Sequence, residues 1–455
     1  MDGTKQQTPW KELRRLIDQG ESDRLDEFVR QIPDIEIPHT LSLLGDEALT
    51  ELLHVVEPET AAVLMEQMPG VRAVETMEHL DREDAAAILL ELPSSEQADF
   101  LHAMEQRDAD AILAEMIPEA ADSARNLCRY DNDVAGGLMD IDYLAYPHNF
   151  TATEVIRDMR TNADTYRDYV VQYAFVLDEQ ERLLGVLRLR DLLLAEGDRP
   201  IVELMQGDPL AVGDFAPLDE LRSFFLAHPF FGVPVTDAAG RLLGIVRRAA
   251  VEEALADRSD SAYLKTQGIV GGEELRSMPF LLRARRRLAW LSVNVLLNVV
   301  AATVIAFYQE TLAAVIALAV FLPIISDMSG CSGNQAVAVS MRELSLGLVR
   351  PSELLRVWAK ELSVGLMNGL VLGALIAGVA WLWKGNPYLG LVVGAAMTLN
   401  TLVAVSIGGT VPLLMRRLKM DPALASGPIL TTVTDMCGFF LILSLATRFL
   451  PWISG

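Results

Sequence analysis

Cysteine is nearly missing from this chain, with three in 455 residues, and the three (Cys128, Cys331 and Cys437) fall in no metal-ligand spacing. Two lie in apolar segments, which implies small-residue packing in a reducing compartment. Histidine is also sparse: six are scattered, with no nucleophile–base spacing and no glycine-rich loop to cradle a phosphate. The chain is therefore not expected to be an enzyme. Basic charge is scarce over residues 1–279, which hold 25 Lys+Arg against 55 Asp+Glu, a net of −30. Such a surface repels nucleic acid and concentrates cations. Residues 280–455 hold 13 and 7, a net of +6, so two physically different halves meet near residue 280. Met1 to Gln19 lacks an apolar signal core, and the acidic half is expected to stay in the cytoplasm.

The second half is built from long apolar runs. Five spans are expected: Leu288–Phe307, Leu312–Val339, Leu354–Trp383, Leu389–Leu414 and Leu424–Phe449. Each reaches the ~20 residues that a ~30 Å hydrocarbon core requires. Arg283, Arg285, Arg286 and Arg287, the Arg342–Lys360 loop, and Arg416-Arg417-Leu418-Lys419 fall on one side. The loops around Gln309-Glu310 and Lys384-Gly385-Asn386 carry one Lys between them. This asymmetry puts the N-terminal half in the cytoplasm and the C-terminus outside.

Inside the last run, Ala423 to Leu450, Asp435 is the one charge before Arg448. A mid-span carboxylate costs roughly 2.5–3.5 kcal/mol on insertion scales, so it normally faces a polar path, a partner or an ion. Three threonines precede it, and Gly427 and Pro428 can free backbone carbonyls. A cation path is one reading; a carboxyl bonded to a neighbouring helix is the other. The second span adds Pro323, Asp327, Gly330, Ser332, Gly333, Asn334 and Gln335, and the fourth holds Asn400, Thr401, Ser406 and Thr410. Pro323 and the two glycines are expected to break or tighten the helix and bare carbonyl oxygens, unless the small residues serve close packing. Oxygen donors without His or thiolate pairs suit Mg²⁺ or Ca²⁺.

Upstream, a weak repeat closes on Pro69, Pro93 and Pro118, 24 and 25 residues apart. Each unit reads as an amphipathic helix ended by Pro, and stacked pairs as a superhelix. Its surface carries Glu57, Glu59, Asp81, Glu83, Asp84, Asp108 and Asp110, either a solvated face or a place where acids collect divalent ions. From Gly137 to Ala256 the pattern changes. Arg182-Leu183-Leu184-Gly185-Val186-Leu187 recurs 59 residues on as Arg241-Leu242-Leu243-Gly244-Ile245-Val246, each behind another strand and a helix. The segment resembles a tandem CBS pair. Pairs that bind adenosine ligands carry a hydroxyl residue three after the strand glycine and Asp three further on. Here Arg188 precedes Asp191, and Arg247 precedes Ala250. The substitutions point away from nucleotide binding and toward a dimerising regulatory platform.

The order of parts resembles the MgtE family of magnesium channels and transporters over nearly the whole chain. The most specific matches are Asp421-Pro422-Ala423, Ser426-Gly427-Pro428 and Thr431-Thr432 to Asp435, with Asn400 and Pro412. The resemblance implies a multidomain membrane protein: an all-α superhelical domain (1–130), an α/β CBS pair (137–256), a connecting plug helix (257–282) and an all-α transmembrane domain of five helices (283–455). It implies a homodimer in the bacterial inner membrane, passing Mg²⁺ passively at Asp435 on the dimer axis, with Thr431 and Asp421 nearer the cytoplasmic mouth. The expected metal residues are Asp435, Thr431, Asp421, Asp327, Asn334, Glu59, Asp84 and Asp260. Mn²⁺ or Co²⁺, or coupled exchange, is the alternative; a membrane-anchored sensor would need no in-membrane acids. The chain departs from the family at Ser329–Gln335, where the closing Gly333-Asn334-Gln335 of the usual motif survives. It departs again after the last CBS strand, where Arg247-Arg248-Ala249-Ala250 replaces an acidic pair and Asp260 alone remains of the next. Regulatory Mg²⁺ is then expected to bind less well, or on Glu59 and Asp84.

Overall fold

The computed structural model describes residues 9–453 apart from 167–168, 170–171, 270–273, 275–277 and 279. Much of the connector expected over 257–282 therefore lies outside the described residues, as do the side chains of Ser426 and Pro428. The chain divides into two compact units, Met1–Arg258 and Ser259–Gly455.

The first unit begins with ten short helices: α1 Pro9–Gln19, α2 Ser22–Gln31, α3 Ile37–Ser42, α4 Asp46–Val55, α5 Pro58–Glu66, α6 Gly70–His79, α7 Arg82–Glu91, α8 Ser94–Ala103, α9 Gln106–Glu115 and α10 Pro118–Leu127. The repeat appears as α5, α7 and α9 packed in succession. Its prolines do not simply end helices. Pro69 and Pro93 are the N-caps of α6 and α8, and Pro118 opens α10. A residue without an N–H is tolerated where helical donors are orphaned anyway, so each proline starts the next helix as it stops the last. One continuous core, including Leu49, Leu52, Met65, Met77, Ile88 and Ile112, runs through the stack.

The remainder of the unit has α11 Ala135–Leu138, β1 Met139–Asp140, β2 Leu144–Pro147, α12 Ala152–Thr161, β3 Tyr173–Leu177, β4 Leu183–Arg188, α13 Leu189–Leu193, α14 Ile201–Leu204, β5 Gln206–Gly207, β6 Val212–Gly213, α15 Leu218–Ala227, β7 Gly232–Thr236, β8 Leu242–Arg247 and α16 Arg248–Thr266. Two four-stranded sheets form, in the orders β2-β3-β4-β5 and β1-β8-β7-β6. The copies match in register: Phe175 lies opposite Val186, and Pro234 opposite Ile245. Both hairpins close the same way. Asp178 accepts from Arg182 Nε at 2.7 Å, and Asp237 from Arg241 Nε at 2.8 Å. The first strand of the segment crosses to the second copy, pairing with β8.

The second unit contains α17 Phe280–Phe307, α18 Gln309–Ala314, α19 Leu318–Ser345, α20 Leu354–Lys384, α21 Pro387–Arg417, α22 Pro422–Arg448 and α23 Leu450–Ile453. Four of these helices are long and apolar enough to cross a membrane: α17, α20, α21 and, from Ile429, α22. The 28-residue α19 is long enough but carries too many polar residues to stand with them. The second span does not begin at Leu312, because the short α18 intervenes. The arginine cluster lies within α17 rather than before it, with Arg287 and Arg283 paired to Glu274. Helix α21 is central, packed by α19, α20 and α22. Gly365, Gly369 and Gly373 of α20 face Val405, Thr398 and Gly394 of α21 so closely that any Cβ would collide. That is the small-residue contact by which membrane helices approach.

Candidate functional site

Helix α19 has two faces. Phe321, Leu322, Ile325, Ser329, Ser332, Gly333, Ala336, Val337 and Ser340 are buried against the other helices. Pro323, Asp327, Cys331, Asn334, Gln335 and Ala338 are exposed, at the three-and-four spacing of one helical stripe. Asp327 and Asn334, both expected as site residues, therefore share an open face. Pro323 does not break the helix, which runs unbroken from Leu318 to Ser345. Nor do the glycines bare a shared set of carbonyls. A Cβ on Gly408 would meet the Gly333 carbonyl at 2.2 Å, and one on Gly333 would meet Leu430 at 2.7 Å. Gly333 is a packing residue, while Gly330 faces open space.

Asp435 sits half-buried on α22, and the Ser326 hydroxyl of α19 donates to its Oδ1. The carboxyl thus bonds a neighbouring helix, and it does so one residue from the open stripe. Thr431, one turn earlier, is exposed. Asp421 is the N-cap of α22, accepting from Ala423 N at 2.9 Å, and its other oxygen lies 3.2 Å from Lys265 Nζ. This places an internal cation on an acid expected at the mouth. Just beyond Lys265, Gly268 turns with φ +82°, and a Cβ there would meet the Trp290 indole at 2.1 Å.

In the first unit, Asp84 comes together with Asp81 and His54, a partner absent from the sequence expectation. One ligand atom from each lies within 4.8 Å of the other two. The hydrogen bond that its ring donates to the Asp84 carboxylate pushes the His54 pKa up. Glu59 and Asp260 are exposed, and neither belongs to this cluster. A second acid group was missed altogether. Glu66, Glu96 and Asp99 of the helical stack interact electrostatically with Glu253 and Asp257 of α16. Burial, then the neighbouring Glu66, Glu253 and Asp99, pushes Glu96 up to about 7. Burial chiefly pushes Asp99 up to about 6. Like charges held together at such cost form a place where a cation is welcome.

Beside them stands Arg247, where the resemblance leads one to expect acidic residues. Its Nε is fully buried 2.5 Å from Asp140 Oδ2, close in distance but poorly aligned for a hydrogen bond. Asp140 also accepts from Ser95 Oγ at 2.8 Å, and Ser94 Oγ accepts from Ile141 N at 2.9 Å. The end of the second CBS strand is therefore joined through Asp140 to the start of α8. In the first copy Arg188 instead pairs locally with Asp191 at 2.7 Å.

Comparison with known proteins agrees with this architecture. A family model described as a divalent cation transporter matches residues 322–445, one for an MgtE intracellular N domain matches 32–133, and CBS models match 134–198 and 201–257. A magnesium transporter MgtE of Thermus thermophilus is 33% identical over 72% of this chain and 73% of its own length. One from Bacillus subtilis is 27% identical over 97% of this chain and 94% of its own. The crystal structure of the soluble part of a magnesium transporter shares the fold of the first half. It has a TM-score of 0.50 and 20% identity, and the match covers 55% of this chain and 98% of that one. With its acidic helical stack, CBS pair and polar-striped membrane helices in that order, this chain belongs to the MgtE family of divalent cation transporters.

Proposed function

We propose that this chain passes Mg²⁺ across a bacterial cytoplasmic membrane, with a cytosolic half that regulates the flux. One observation carries the reading: Asp435, held by Ser326, lies beside the exposed Asp327–Cys331–Asn334–Gln335 stripe of α19. A polar stripe turned toward hydrocarbon would be costly, so it needs water and a covering surface. A second copy of the chain supplies both, which supports a homodimer with α19 and α22 lining the path and α19 as the fifth span. The donors are oxygens, suited to a hydrated Mg²⁺ touched by one or two carboxylates, and the relatives carry magnesium in their names. The arginine asymmetry supports a cytoplasmic N-terminal half and an outer C-terminus. An interior-negative potential then drives entry with about 2.3 kcal/mol per charge per 100 mV.

For regulation, the reading assigns the divalent ion to Asp84, Asp81 and His54, whose ligand atoms lie within 4.8 Å of one another, with the mutually repelling Glu66, Glu96, Asp99 and Glu253 group as a second place that concentrates cations. Asp421 and Thr431 stand toward the mouth, with Lys265 occupying Asp421. The CBS pair serves as a platform and not as a nucleotide site.

The test is Mg²⁺ uptake into vesicles. Asp435→Asn is expected to lower it by about tenfold or more, the scale of losing the main charge on the path. Unchanged uptake by a correctly folded variant sinks the assignment. Competition by Mn²⁺ and Co²⁺ in the same assay decides between ions.

A further inference from the structure

Asn400, on α21, is completely buried, and neither its Oδ1 nor its Nδ2 finds a partner among the described residues. The polar groups around it are provided for. Thr401 donates to the Met397 carbonyl at 2.9 Å, and Thr434 to the Thr431 carbonyl at 3.0 Å. Ser329 lies 4.0 Å from the Met397 sulfur, and Ser326 donates to Asp435. Asn400 stands where α19, α21 and α22 meet. Its amide nitrogen is 2.7 Å from where a Cβ on Gly438 would be, and Ile325 Cγ2 is 3.5 Å from the same point. Gly438 follows Asp435 by three residues, and Ser326 follows Ile325, so the unpaired amide and the bonded carboxyl occupy one layer.

An amide with both valences empty is costly in any core, and more so where no water competes. Leucine has the same branched outline and the same number of side-chain heavy atoms and would remove that cost, so packing does not account for an asparagine. Two features explain it if α22 has a second placement. Gly438 leaves its backbone bare toward the amide, so a small slide or rotation of α22 brings a main-chain group into bonding range. The same movement re-aims Asp435, one turn away, toward or away from the α19 stripe. Bistable packing of this kind turns small shifts into discrete states. We propose that Asn400 is a positioning residue for cation passage, holding its amide for a second placement of the α22 segment that carries Asp435. The proposal rests on the reading of Asp435 as the acid on the path.

The experiment uses the full chain in vesicles for Mg²⁺ uptake and in detergent for melting. Asn400→Leu is expected to lower maximal uptake by about fivefold, with half-saturating Mg²⁺ within about twofold because Asp435 is intact. Its Tm should equal or exceed that of the parent. Unchanged uptake, or lost uptake with a lower Tm, overturns the proposal. Gly438→Ala, alone and with Asn400→Ala, provides an arm that does not depend on the leucine variant folding. The single variant collides with the amide, and the double variant has room. Uptake is expected to stay low in the double variant; recovery to the parental rate would mean that Gly438 supplies only space, and would overturn the proposal. Full uptake by Asp435→Asn would instead overturn the path reading on which this one rests, whatever Asn400→Leu does.

Discussion

Carboxylates are crowded in one half of this molecule and solitary in the other. Glu66, Glu96 and Asp99 lie close enough to Glu253 to feel its charge, and burial with these neighbours makes Glu66, Glu96 and Asp99 harder to ionise. Among the described residues Asp435 shows no such acidic cluster; a serine hydroxyl holds it, and Asp327, next to that serine on the facing helix, is exposed. Crowding suits a site that waits for a cation and changes when it arrives. Solitude suits a site that a cation must leave again, since conduction needs binding weak enough to release.

Four substitutions test this contrast. The largest effect is that of Asp435→Asn, already expected to remove most uptake, because it removes the half-buried carboxylate and leaves the exposed Asp327 beside it. Arg247→Met comes next. It leaves the Asp140 carboxyl with Ser95 but without its guanidinium, and should destabilise the first unit by about 2 kcal/mol in a denaturant titration; no loss would mean that the poorly aligned pair contributes nothing. Glu96→Gln should act the other way. A carboxyl whose folded pKa is raised binds its proton more tightly in the folded state, so it lowers stability as pH rises between the ordinary value and about 7. Glu96→Gln should therefore leave Tm unchanged near pH 3, where the parent carboxyl is largely neutral in both states. It should raise stability by about 1–2 kcal/mol above pH 7, after discounting for the solvent that still reaches the group. Saturating Mg²⁺ should shrink that gain, and a gain independent of both pH and Mg²⁺ would break the comparison. Ser326→Ala has the smallest expected effect, about a two- to threefold fall in uptake, the scale of one hydrogen bond to a charged group in part replaced by water.

Much of this was legible in the sequence because it is periodic. The 59-residue echo of Arg182–Leu187 at Arg241–Val246 gave both hairpins, and the apolar runs gave the last three long helices to within a few residues but missed the start of α17 and both ends of α19. Asp435 was legible because one charge in a long apolar run has few innocent explanations. The acid cluster was not, because Glu66 and Glu253 are far apart along the chain and only folding brings them together. His54 was hidden for the same reason, lying 30 residues from Asp84. Proline and glycine in α19 were misread as breakers. In a bundle, neighbouring helices re-satisfy the backbone and a glycine is more useful as room for a neighbour. Asn400 could be read as polar, but an unanswered amide is a property of its surroundings and has no signature in residue order.

The Lys265–Asp421 pair has a mechanical consequence. Asp421 is the first residue of the turn that begins α22, and Asp435 lies fourteen residues along the same rod. At 1.5 Å per residue the separation is about 21 Å. A continuous helix transmits an axial push over that length with little loss. The end of α16 thus holds the handle of a rod whose far end carries Asp435, and on the proposed reading of that acid a tug of an ångström on Lys265 is felt where the ion would pass.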